Sequence, residues 1–150
     1  MTEIRQIVAD IVPGMYDSIA ADFHYPPGTN LAGSNQCHVL SKGLWIALKN
    51  RGIETRRERH EAENGDWHYL IAHAPVDAEP SDEDVITDLN PWQFMDRPPL
   101  NLGYLHGTRD KVTDIMESHG ASQHARSLRL LSTLSIAHVV TMQSDRDISR

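Results

Sequence analysis

Asp66-Trp67-His68-Tyr69-Leu70-Ile71-Ala72-His73 and Val85-Ile86-Thr87-Asp88-Leu89 decide how this chain folds. Both runs are rich in aromatic and β-branched residues, and the acidic, Pro-containing stretch 74–83 separates them. That pattern predicts two antiparallel strands joined by a loop. If Ala72 stands opposite Asp84, then His68 faces Asp88 and Leu70 faces Ile86, all on one side of the hairpin. Trp67, Tyr69, Ile71, Val85, Thr87 and Leu89 take the other side. Opposed residues on one face lie about 5 Å apart, close enough for a carboxylate to orient an imidazole.

Working outward, Leu40, Leu44, Ala47 and Leu48 fall at helical spacing, and Gly52 follows. A helix is expected from near Cys37 to Asn50, capped by Ser34 or Asn35. Residues 22–36 read as an irregular loop. Ile4, Ile7, Val8, Ile11 and Val12 predict an amphipathic first helix stopped by Pro13-Gly14. Ile53 to His60 reads as a strand of alternating charges. Its cluster Arg56, Arg57 and Arg59, broken by Glu58 and flanked by Glu54 and Glu61, reads as a solvated strand with paired charges. Helical periodicity returns near Thr108 and again from about Ser122 to Met142, with Leu128, Leu131, Leu134, Ile136, Val139 and Val140. Helix, loop, helix, strands, helices is an α+β order, expected to form one domain over residues 1–150.

A cysteine acts as a nucleophile only as thiolate, and both a helix N-terminus and a nearby imidazolium favour that form. Cys37 meets the first condition at the inner edge of its helix's first turn. His68, on a strong strand with Asp88 opposite, supplies the second. The Gly33–Gln36 loop can build an oxyanion hole from the Cys37 N–H and a side-chain amide of Asn35 or Gln36. Trp67 and Trp92 are candidates to wall the cleft. His38 is expected to point away from the site, and His60 and His73 to be polar surface at the strand ends.

Residues 37–92 resemble the catalytic core of the transglutaminase-like branch of papain-like cysteine enzymes. The matching pieces are Cys37 with Gly43-Leu44-Trp45, then Arg51-Gly52-Ile53-Glu54-Thr55-Arg56, Trp67-His68-Tyr69-Leu70-Ile71 and Thr87-Asp88-Leu89-Asn90-Pro91-Trp92. Cys, His and Asp come in that family's order, 31 and then 20 residues apart. The resemblance implies a papain-like core in which the Cys37 helix packs on a small antiparallel sheet, with helices following. It also implies a Cys37–His68–Asp88 triad doing thiol acyl transfer on a carboxamide or peptide bond of a protein substrate, as deamidase, transglutaminase or protease, with no cofactor.

Composition narrows the classes further. The 150 residues are 39% hydrophobic and 23% charged, with 14 Lys+Arg against 21 Asp+Glu, a net charge of −7. This balance argues against a nucleic-acid or anionic-membrane partner. No apolar run is long enough to span a bilayer, and the first residues lack a signal-peptide core. The lone Cys37 allows no internal disulfide, which fits a reducing, cytoplasmic setting, with signal-independent export as another route. Two rival classes stand beside the enzyme. One is a non-catalytic protein-binding module of α+β fold. The other is a His-rich metal-binding regulator, in which Cys37, His38, His68 and His73 would be the ligands, although no C-x-x-C or H-E-x-x-H spacing supports them.

Overall fold

The computed structural model of the chain describes residues 2–61, 65–95, 97–99, 101–129 and 139–142. The fold is α+β. Four helices, α1 (Thr2–Asp22), α2 (Cys37–Asn50), α3 (Arg109–Ser118) and α4 (Ser122–Arg129), flank one antiparallel sheet. Its strands are β1 (Arg56–Glu61), β2 (Trp67–Ala72), β3 (Val85–Asp88), β4 (Leu105–Thr108) and β5 (Val139–Met142), in the order β4-β3-β2-β1-β5. Although α1 is long, no helix among the described residues is long and apolar enough to cross a membrane.

Alternation along the strands divides the core in two. Ile71 and Leu89 join Val8, Val12, Ile19, Leu40, Leu44 and Leu48 in a cluster under α1 and α2. Leu70, Ala72 and Ile86 join Trp92, Val112, Met116, Ala125 and Leu128 under α3 and α4. The sheet is therefore covered on both faces.

Helix α1 runs through Pro13 rather than stopping there. Proline removes one backbone hydrogen bond, but Met15, Tyr16 and Ile19 continue the apolar stripe onto the same core, and that burial outweighs the break. The Tyr16 hydroxyl also donates to the Leu89 carbonyl, tying α1 to the end of β3.

Helix α2 has the expected bounds but a different start. Gln36, not Ser34 or Asn35, is its N-cap, and no side chain caps it. Ser34 Oγ instead accepts from the Gln36 N–H at 3.4 Å. The stretch expected to be one helix to Met142 divides: α4 ends at Arg129, and Val139–Met142 forms β5, paired with β1 from Arg57↔Met142 to His60↔Val139. The β-branched run Val139-Val140-Thr141 and the open edge of β1 favour a strand there. Leu131, Leu134 and Ile136 lie outside the described residues.

The expected solvation of Arg56 and Arg57 is also overturned, since both are fully buried. Arg56, Glu58 and His60 share one sheet face, and Glu58 is the anchor. It pairs with Arg56 at 2.7 Å, with Arg109 through two 2.9 Å bonds, and with His60 at 2.9 Å. On the other face, Arg57 bonds Ser41 Oγ and the His38 carbonyl from beneath α2.

Candidate active site

The β2–β3 register places Ile71 opposite Thr87 and Ala72 opposite Ile86, a shift of two residues from the expected pairing. The hairpin is closed by the His73 N–H on the Val85 carbonyl at 2.8 Å. A two-residue shift preserves the faces, where a one-residue shift would have inverted them. His68 and Asp88 therefore remain on the same side, as diagonal rather than direct neighbours. They meet: His68 Nε2 lies 2.8 Å from Asp88 Oδ2, with both side chains fully buried.

His68 Nδ1 lies 2.8 Å from Gln93 Oε1. Asn90 fixes the proton on that nitrogen. Its Nδ2 donates to the Ser34 carbonyl at 2.9 Å and to Gln93 Oε1 at 3.0 Å, so the Gln93 oxygen is an acceptor there. Nδ1 must then donate to it, while Nε2 donates to the carboxylate. Both ring nitrogens carry hydrogen, which makes His68 an imidazolium. Burial alone would lower its pKa, but the charge and hydrogen bond of Asp88, aided by Cys37, raise it to about 10. Burial likewise pushes Asp88 up, yet His68 and His124 hold it well below the usual carboxylate range.

Cys37 opens α2 and is 5% exposed. As a thiol, it contacts the Trp67 carbonyl at 3.7 Å, a long bond that is cheaply lost on ionisation. Burial raises its pKa, but a hydrogen bond and charge from His68, with the Tyr69 backbone, outweigh burial and leave it lowered. Helix start, imidazolium and thiol thus come together, and the His68 contact favours the thiolate form.

The other candidates divide. Gln36 is half-buried at the helix cap and Asn35 is exposed in the turn before it. Trp67 is 40% exposed beside Cys37, with Arg59 stacked over its ring. Trp92 is not a cleft wall: it is fully buried in the second core cluster and donates to the Gly103 carbonyl. His60 is buried against Glu58, and His73 bonds Thr87 on the opposite face, so neither is plain surface. His38 sits edge-on to Tyr69.

Sequence reading missed four neighbours of the site. His124 of α4 bonds Asp88 Oδ2 at 3.1 Å, and its ring lies 4.0 Å from that of His68. Burial and the His68 charge hold His124 neutral, with a pKa near 4 despite Asp88. Phe94 packs edge-on against both imidazoles. Asn90 entered only within the matched piece Thr87-Asp88-Leu89-Asn90-Pro91-Trp92, without a role, and Gln93 was not singled out. Cys37, His38, His68 and His73 do not gather; among the described residues the group with metal-ligand proximity is His68, Asp88 and His124, whose ligand atoms lie within 4.8 Å of one another.

No family model, curated protein or solved structure matches the chain.

Proposed function

We propose that the protein is a thiol acyl-transfer enzyme of papain-like, transglutaminase-like type, with Cys37 as nucleophile, His68 as acid and base, and Asp88 as its orienting carboxylate. The observation that carries this reading is the Asp88–His68 pair at 2.8 Å, joined to a lowered Cys37 thiol at a helix N-terminus. In the reaction, the thiolate attacks the carbonyl carbon of a carboxamide or peptide bond. His68 protonates the leaving nitrogen as the C–N bond breaks, and ammonia or an amine departs. Water or a second amine then attacks the thioester, giving its proton to His68 and returning the thiolate. Asp88 stabilises the imidazolium throughout. Gln36 and Asn35, with the Cys37 N–H, remain the candidates for the oxyanion.

The test uses the single thiol. Alkylation of Cys37 should stay fast well below the ordinary thiol pKa of about 8.5 and slow sharply in His68→Ala. Cys37→Ser should abolish turnover of amide substrates. A rate that tracks an ordinary thiol and ignores His68 would sink the proposal and leave a binding module.

The convergence of His68, Asp88 and His124 favours one other reading, a bound divalent metal such as zinc. It is the weaker one, because a metal at this point must displace the Nε2 proton of an imidazole whose pKa is raised. Equilibrium dialysis against zinc decides it: stoichiometric uptake lost in His124→Ala favours the metal, and no uptake favours the enzyme.

A further inference from the structure

Resting on the acyl-transfer reading, we propose that the mouth of the Cys37 site selects an acidic residue in the substrate. An Asp or Glu a few positions from the reacting carbonyl places its carboxylate on Arg59, which lies over the Trp67 ring. Two arginines of β1 repeat one arrangement on the α2 face of the sheet. Arg57 lies over the Tyr69 ring at 5.7 Å, and Arg59 over the Trp67 ring at 4.2 Å. The inner one is roofed by α2: fully buried, it bonds Ser41 Oγ at 3.0 Å and the His38 carbonyl at 3.1 Å. The outer one is half-buried and forms no ion pair with a described residue; its Nε is covered and has no partner. Glu61 faces Trp67 across the two strands and is exposed, yet no ion pair joins it to Arg59. Arg56 and Arg109, by contrast, each grip a carboxylate of this chain.

Position makes this guanidinium part of the site. Trp67 supplies the carbonyl that Cys37 Sγ contacts at 3.7 Å, and its side chain is 40% exposed. Stacking holds the guanidinium plane on the indole and leaves the N–H groups at its edge for a planar carboxylate. The His68 imidazolium adds positive potential at the same mouth, as do the backbone N–H groups at the start of α2, which no side chain caps. The chain as a whole carries a net charge of −7. An anion is therefore repelled by the protein at large and drawn in here. An extended chain advances about 3.3 Å per residue, so a few residues bridge a carboxylate on Arg59 and a carbonyl at Cys37.

The experiment alkylates Cys37 in the full chain at about pH 6 with neutral N-ethylmaleimide and with two anionic reagents, maleimidopropionate and maleimidohexanoate, which carry a carboxylate on a short and a long tether. The ratio of acid to neutral rate cancels any change in thiol reactivity common to the reagents. For the better-fitting acid this ratio should fall roughly fivefold in Arg59→Gln, the upper end for an exposed ion pair. It should recover in part in Arg59→Lys, and high salt should bring the wild-type ratio down toward that of Arg59→Gln. Cationic aminoethylmaleimide should shift the opposite way in Arg59→Gln, which a distorted fold would not produce. Equal ratios in wild type and Arg59→Gln, for both tethers, overturn the subsite; the acyl-transfer reading then survives if alkylation stays fast at low pH and dependent on His68. An ordinary thiol profile that ignores His68 removes the acyl-transfer reading, and the substrate claim with it, even where the ratio follows Arg59.

Discussion

His68 and Asp88 stand diagonally across two adjacent strands, and their side chains still close to 2.8 Å in a fully buried setting. Low dielectric makes that contact the main control on the charge of His68, and through it on the Cys37 thiol.

Asp88→Asn keeps the shape and removes the charge. We expect the pH midpoint of Cys37 alkylation to rise by about one unit or more toward the free-thiol value, because the imidazolium loses its counter-charge. Circular dichroism should show the fold retained. An unshifted midpoint would mean that Asp88 does not govern His68.

Stability should peak near neutral pH, and the sign follows from the shifts. His124 and His73 are both lowered by burial to about 4. Below about 6.5 the unfolded chain takes up protons that these folded imidazoles refuse, so stability falls as pH drops from 6.5 toward 4, by up to ~3 kcal/mol for His124. His68, raised to about 10, works in the opposite direction: its contribution is complete below 6.5 and is lost as pH rises through 10. Urea midpoints measured across this range should trace a dome. His124→Phe should flatten its acid limb, and an unchanged limb would contradict the assignment.

Glu58→Gln should be among the most damaging single changes. Two fully buried guanidiniums, Arg56 and Arg109, rely on this carboxylate, and Asp84 serves both only from the margin, at 2.8 and 3.6 Å. Leaving buried charge uncompensated costs about 3–5 kcal/mol, which denaturant titration would detect. A loss below about 1 kcal/mol, the range of surface pairs, would show that water reaches the network.

Gly33→Ala tests the loop in front of the nucleophile. A Cβ there would fall 2.6 Å from Cβ of Pro98, so the loop or the proline must move. We expect a loss of roughly 1–3 kcal/mol in thermal or denaturant unfolding. The pH profile of Cys37 alkylation should change as well, because the adjacent Ser34 carbonyl anchors Asn90.

Cys37, His68 and Asp88 were legible because each lies in a segment with strong local character: a helix start, a β-rich run and a strand end. The hairpin register was not, since Asp84 was counted as a strand residue. Its carboxylate is drawn instead to Arg56 at 2.8 Å and to the Ser81 N–H at 3.0 Å, so pairing begins one residue later. The alternation of Arg56, Glu58 and His60 was visible, but alternating charge ordinarily marks a wet face. Only the cover of α3, with Arg109 supplying a second guanidinium to Glu58, turns it into an interior network. His124 had no local mark at all, being one of nine histidines on a helix whose approach to β3 depends on tertiary packing.

The position of β5 bears on how the chain is made. As the polypeptide leaves the ribosome, residues 56–61 are complete long before residues 139–142 exist, so β1 spends that interval as an unpaired border of the sheet. Such a border invites neighbouring nascent chains to add themselves. Arg56, Arg57, Glu58 and Arg59 lie along it, and burying that row against a stranger would strand charge without its partners. A row of charges along a strand is the arrangement that disfavours edge-to-edge pairing with another chain.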